Sequence, residues 1–212
     1  HLQQGMQGMV ARVIAAEGPN IDDLGLSEAL KKVILEKNGL IIMVGGTGSG
    51  KSTSMAAMID HRNASSYGHI VTIEDPLEYI HKSKNCLMTH REVGTDTDSW
   101  EAALHNTLRQ APDVIVLGEI RDKEIMGFGL EFAQTGHLAM ATLHANNSNT
   151  WLSLSMVNHF MRRKAGNMSK KRKPKISTQR NPVAKHAHLF NRVVILPEKM
   201  IYKRKPKHTT QD

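Results

Sequence analysis

Eight consecutive residues, Gly45-Gly46-Thr47-Gly48-Ser49-Gly50-Lys51-Ser52, have the spacing G-x-x-x-x-G-K-[ST]. A loop of this pattern aims several backbone N–H groups and a helix N-terminus at one point, where they grip the oxygens of a triphosphate. The glycines supply unusual backbone angles and let the chain approach phosphate closely. Lys51 is expected to reach the β- and γ-phosphates and the Ser52 hydroxyl to ligate Mg²⁺. Together with Thr53, these residues are the expected nucleotide-binding set. The alternative, a glycine-rich turn that binds nothing, leaves the flanks of the loop unexplained.

Those flanks are a buried strand and a helix. Leu40-Ile41-Ile42-Met43-Val44 is a continuous aliphatic and β-branched run, and Ser54-Met55-Ala56-Ala57-Met58-Ile59 is rich in helix formers. Upstream, Met9–Ile14 reads as an edge strand, ended by Gly18-Pro19-Asn20. Leu26, Leu30, Val33 and Ile34 then recur at helical spacing, with Asn38-Gly39 as the C-terminal cap. Downstream, His69–Ile73 is a second strand running into Glu74-Asp75-Pro76. Asp98-Ser99-Trp100-Glu101 reads as a capping box that opens a helix with Trp100, Leu104 and Leu108 on one face. Val114–Leu117 is a third strand ending in Gly118-Glu119. A helix follows to about residue 134, weakened by Gly127 and Gly129 at roughly 1 kcal/mol each relative to Ala. Leu138–Leu143 is the fourth strand. Such alternation predicts an α/β fold, a parallel sheet covered by helices on both faces.

Open α/β sheets bind ligands at the carboxyl ends of their strands. The second strand delivers Glu74, Asp75 and Glu78 there, and the third delivers Glu119. Hydrolysis of a nucleoside triphosphate needs the metal held and a water oriented for in-line attack, and a strand-tip carboxylate such as Glu119 suits the second task. Glu119 also fits a plainer role, an acid favoured by the dipole of the following helix, and Asp75-Pro76 fits a turn initiator. His137 and His144 bracket the fourth strand. Seven residues apart, they face opposite sides of a continuous strand and make a poor metal pair; spacing alone makes each a hydrogen-bonded structural residue.

Composition divides the chain. Its net charge is +8, yet residues 1–150 carry 12 Lys+Arg against 18 Asp+Glu, a net of −6, and residues 151–212 carry 16 against 2, a net of +14. The basicity belongs to the tail, where Lys-Arg-Lys-Pro-Lys occurs at 171–175 and again at 203–207. Within residues 170–212 the one short apolar stretch is Val193-Val194-Ile195-Leu196, so this region is expected to be largely disordered or poorly packed. It also fits a salt-sensitive contact to nucleic acid or anionic lipid. Sequence-specific readout is not expected, since only Trp151, Phe160, Phe190 and Tyr202 are available for stacking. Cys86 is the single cysteine, which points to a reducing compartment. No apolar stretch approaches the roughly 20 residues of a membrane span, and no signal peptide is visible, so the expected location is cytoplasmic. The expected organisation is a remnant or linker over 1–20, a core over 21–150 and a basic tail over 151–212.

Four blocks resemble the secretion-type ATPases that power type IV pili and type II secretion. They are the loop at 45–52, Thr72–Tyr79 (T-I-E-D-P-L-E-Y), Leu108–Asp122 (L-R-Q-A-P-D-V-I-V-L-G-E-I-R-D) and Thr135–Asn146 (T-G-H-L-A-M-A-T-L-H-A-N). In that family they are the Walker A motif, the Asp box, an atypical Walker B motif and the His box. Arg91-Glu92-Val93-Gly94 and Leu143-His144-Ala145-Asn146 resemble the pilus retraction (twitching motility) branch, of PilT/PilU type. The resemblance implies a RecA-like ATPase core using ATP and Mg²⁺. It further implies a water-polarising Glu119, Glu74 and Glu78 ordering water, Ser52 and Asp75 at the metal, and a His144 that senses the γ-phosphate. His137 and Arg121 are implied as supporting residues. It implies a hexameric ring, peripheral at the inner membrane, acting on the platform protein at the pilus base. Three departures stand out. The family's N-terminal domain is absent or reduced to 1–20. The helix after Glu119 carries Gly127-Phe128-Gly129 where the family usually has better helix formers, and nothing after residue 147 matches beyond Asn158-His159-Phe160. The chain begins with His1, and so abrupt a change of composition is expected of a frameshifted or truncated reading frame.

Overall fold

The computed structural model describes residues 18–144 without interruption, with Leu2–Gln3, Met6–Gln7, Met9, Ile14, Ser177–Arg180 and Arg192–Leu196. Strands β1 (Leu2–Gln3) and β2 (Met6–Gln7) form a small antiparallel pair. The edge strand expected at 9–14 is not seen at Met9 or Ile14, and 10–13 lie outside the described residues. The remaining elements are α1 (Glu28–Ile34), β3 (Gly39–Gly45), α2 (Lys51–Ser65), β4 (Gly68–Glu74), β5 (Cys86–Glu92), α3 (Trp100–Thr107), β6 (Val114–Leu117), α4 (Lys123–Gln134), β7 (Leu138–His144), β8 (Ser177–Arg180) and β9 (Arg192–Leu196).

The main sheet has the order β5-β4-β6-β7-β3-β9-β8. Its first five strands are parallel, as expected from the alternation of elements. Side chains of successive strand residues point to opposite faces, and two cores result. Leu40, Ile42, Val44, Ile115 and Leu117 pack beneath α3 and α4. Ile41, Met43, Val114, Val116 and Met140 pack beneath α1 and α2. Burial on both faces explains why these strands read as unbroken apolar runs.

Several local expectations shift. The cap of α3 is Ser99 and not Asp98: its hydroxyl accepts the Ala102 N–H, and with Ala at that position the reciprocal half of a capping box has no side chain to make it. Helix α1 ends at Ile34 with Leu35 as its cap, and Gly39 opens β3 instead of capping the helix. Gly129 has a packing reason: an added Cβ would lie 3.3 Å from Leu117 Cδ1, so the glycine lets α4 settle closely on the sheet. Strand β5 was not expected at all. Nine residues of the basic tail are ordered into the sheet: β9 pairs antiparallel with β3 and β8 with β9. Its apolar run satisfies backbone groups that the outer edge of β3 otherwise leaves open. The other tail expectations, including both Lys-Arg-Lys-Pro-Lys segments, lie outside the described residues.

Register aligns the strand tips. Ile73 is level with Leu117, Leu117 with Ala141, and Gly45 with His144. The ends of β4, β6, β7 and β3 therefore open onto one edge of the sheet.

Candidate functional site

At that edge the chain leaves β3 and enters α2 through the glycine-rich loop. Gly48 (φ +72°) and Gly50 (φ +80°, the α2 N-cap) hold left-handed conformations that other residues adopt at a cost. Lys51 begins the helix and is only 5% exposed. One N–H of its ammonium donates to the Gly46 carbonyl at 2.7 Å. Burial lowers its pKa, opposed by the charges of Glu119 and Glu78. A buried cation at a helix N-terminus favours an anion beside it. Ser52, on the first turn of α2, lines the same cleft as Glu74, Asp75, Glu78, Glu119 and His144. Thr53 is placed differently: its hydroxyl pairs with Tyr79 Oη at 3.3 Å.

Glu119 is held on two sides. Arg121 Nε donates to its Oε2 at 3.3 Å, and His144 Nε2 lies 3.5 Å from its Oε1. The helix-cap role belongs to Asp122, whose Oδ1 accepts the Glu124 and Ile125 N–H groups. Arg121 also donates to Asp75, from Nη1 to Oδ2 at 2.7 Å and from Nη2 to the carbonyl at 3.0 Å. Desolvation opposes the charge of this guanidinium, but its hydrogen bonds to Glu119 and Asp75 prevail and raise its pKa.

Glu74 is the most perturbed acid of the cleft. Burial pushes it up to about 6, against the Glu78 N–H and the Thr72 hydroxyl, which both stabilise its charged form. The Glu78 N–H donates to its Oε2 at 3.3 Å. Gly118 makes room for it: a Cβ there would lie 2.9 Å from Glu74 Cγ and 3.3 Å from its Cα. The Gly118 backbone is pinned on both flanks, its N–H donating to Ile73 O at 2.8 Å and its carbonyl accepting from the Thr142 hydroxyl.

His137 is not brought to this cleft. It precedes β7, its carbonyl accepting the Gly39 N–H and its Nδ1 lying 3.0 Å from Thr135 Oγ1. The seven residues of β7 separate it from the phosphate loop by roughly 20 Å at strand rise. Sequence reasoning missed Tyr79, Thr142, His81 and His90. Alternation along β4, which puts Thr72 on the face of Glu74, was the available signal for the network around that acid.

A family model described as type II/IV secretion system protein matches residues 7–161, and a model of a family of unknown function matches 177–212. The type IV pilus ATPase PilU of Pseudomonas aeruginosa is 57% identical over 158 residues, covering 74% of this chain and 41% of that protein. The type IV pilus retraction ATPase PilT of the same organism is 45% identical over 141 residues, covering 66% and 41%. The crystal structure of the pilus retraction motor PilT with bound ADP superposes with a TM-score of 0.61 at 48% identity, covering 64% of this chain and 39% of that one. The chain thus spans about two fifths of the length of these relatives. Among the described residues no helix is long and apolar enough to cross a membrane. With the phosphate loop, the strand-tip acids and 155 contiguous residues matched, the chain belongs to the type II/IV secretion system protein family.

Proposed function

We propose that this chain is the ATP-binding and ATP-hydrolysing core of a type IV pilus retraction motor, in which hydrolysis drives pilin removal. The observation that carries the reading is that Ser52, the residue after buried Lys51, lines one cleft with Glu119 and His144, and that Glu119 is held by Arg121 and His144. Lys51 and the α2 N-terminus bind the phosphates. Glu119 accepts from the attacking water and orients it, its carboxylate aimed by Arg121 on one oxygen and His144 on the other. His144, level with Gly45 at the end of β7 and lining the cleft, is the residue that senses the terminal phosphate in this reading. Ser52 and the Asp75 oxygen not given to Arg121 are oxygen donors that would hold Mg²⁺, which would supply positive charge against the phosphates there. Glu74 and Glu78 order water behind that point.

The full motor is a hexameric ring in the cytoplasm, peripheral at the inner membrane and acting on the platform protein of the pilus base. Resemblance to PilU and PilT supports this assignment over an extension or secretion motor. The alternative reading is nucleotide binding without turnover.

Phosphate release and nucleotide calorimetry on the parent, Lys51→Ala and Glu119→Gln decide between them. Lys51→Ala is expected to lose binding. Glu119→Gln is expected to bind normally and turn over about 10²–10³-fold more slowly. Parental turnover in Glu119→Gln removes that residue from the chemistry, and a parent that binds without releasing phosphate selects the second reading.

A further inference from the structure

Helix α2 begins with Lys51 and Ser52, and the segment that joins β4 to β5 carries Asp75, Glu78 and Tyr79 along the same cleft. Contacts between the two advance in step. Near the end of α2, fully buried Asn63 donates from Nδ2 to the Lys82 carbonyl at 2.8 Å and accepts the Lys84 N–H on Oδ1 at 3.0 Å. Its own carbonyl accepts the Asn85 N–H at 2.9 Å. A turn earlier, the Lys84 ammonium donates to both carboxylate oxygens of Asp60 at 2.8 Å. These bonds fix the far end of the segment, and Arg121 holds Asp75 at its start. Its middle meets the first turn of α2 through side chains, with Tyr79 Oη 3.3 Å from Thr53 Oγ1.

What this contact controls follows from chain order. Thr53 follows Ser52 and Tyr79 follows Glu78, and Ser52, Glu78, Tyr79 and Glu119 line one cleft. A bond between the second members of the two pairs limits how far the first members move apart. Both groups are hydroxyls, each able to donate one hydrogen and to accept another, so the bond forms with either as donor. At 3.3 Å it is long for two oxygens and acts as a tie more than as a rigid brace. With both ends of the segment anchored, what the tie sets is the middle, and with it Glu78.

We propose that Tyr79 is a positioning residue of the hydrolytic site, its hydroxyl tying Thr53 on α2 to the acid-bearing segment so that Glu78 keeps a set distance from Ser52. The kinetic part rests on the hydrolysis reading above; the tie itself does not.

The test uses the full chain. Tyr79→Phe keeps the ring and removes the hydroxyl, and it is expected to lower kcat about two- to ten-fold, the worth of one neutral hydrogen bond. KM for ATP is expected to stay unchanged, because the loop and Lys51 that bind the phosphates are untouched. Thr53→Val is expected to lower kcat by the same factor and Thr53→Ser to restore it, which a role in packing alone does not explain. The double variant is expected to be no slower than either single one, since both remove the same bond. Fluorine spectra of the chain labelled with 3-fluorotyrosine read the tie without turnover: Thr53→Val is expected to shift the Tyr79 signal, the one missing from Tyr79→Phe. Parental kcat in Tyr79→Phe, losses that multiply in the double variant, or a Tyr79 signal indifferent to Thr53→Val overturns the proposal. A parent that releases no phosphate counts against the hydrolysis reading, and the Tyr79 signal then decides the tie by itself.

Discussion

Arg121 Nη1 donates to Asp75 Oδ2 at 2.7 Å, so the segment leaving β6 holds the first residue beyond β4. The same side chain reaches Glu119, and one cation thereby spaces two acids of the cleft. Both partners of the Asp75 pair are part-exposed, at 46% and 37%, so the pair adds at most about 1 kcal/mol to stability. Its larger effect is on geometry. Arg121→Ala is expected to leave thermal melting nearly unchanged and to cut ATP turnover by about 10²-fold, because misplacing a catalytic group by an ångström costs on that order. A large drop in melting temperature with intact turnover reverses the assignment.

Gly118 faces a different constraint, the space taken by Glu74. Ala at 118 puts a methyl group 3.3 Å from Glu74 Cα, an atom of the backbone that cannot swing aside. Gly118→Ala is expected to cost about 1–3 kcal/mol in denaturant titration, as overpacking does. Turnover is expected to fall with it, since the displaced atoms belong to Glu74. Unchanged stability shows that the tips of β4 and β6 separate freely.

His81 is an acid-sensitive point of the fold. Its side chain is 2% exposed, and its Nδ1 has no hydrogen-bond partner among the described residues. Burial, reinforced by His90, lowers its pKa to about 4, with Asp60 opposing. The unfolded chain takes up this proton near its ordinary pKa of about 6.5, whereas the folded chain resists it until about 4. Between those values the unfolded state binds more protons, so stability is complete above about 6.5 and drains as the pH falls towards 4. The loss is on the order of 3 kcal/mol at the acid end. Denaturant titrations across this range are expected to show a shallower slope for His81→Gln than for the parent; equal slopes refute the assignment.

Strand β9 covers β3 from Leu40 to Val44. A chain ending at residue 176 exposes that edge, with its unpaired N–H and C=O groups beside a strand buried along its whole length. Exposed apolar edges recruit other chains, so light scattering is expected to report association or aggregation of the shortened form. A monodisperse product with parental melting shows that the tail strands contribute nothing to the core.

How legible each element was follows from how local its cause is. Strands β3, β4, β6 and β7 were readable because burial on both faces makes each an apolar run. Strand β5 was not, because Cys86–Glu92 lies at the sheet edge and only Cys86 is fully buried. The cap of α3 was placed one residue early because both Asp98 and Ser99 can cap, and only the path of the chain chooses between them. His137 was carried to the site by resemblance and lies at the other end of its strand.

Taken alone, the order of residues determined the phosphate loop, for all its parts fall within eight positions and one turn brings them together. It also named the acids at the strand tips, since a parallel sheet sends its carboxyl ends one way. Which acid meets which partner was decided by tertiary structure. Asp75 and Arg121 are 46 positions apart, and Thr72 and His90 are 18 apart. Their contacts exist because β4 is inserted between β5 and β6, and strand order is a property of long-range packing that no local spacing encodes.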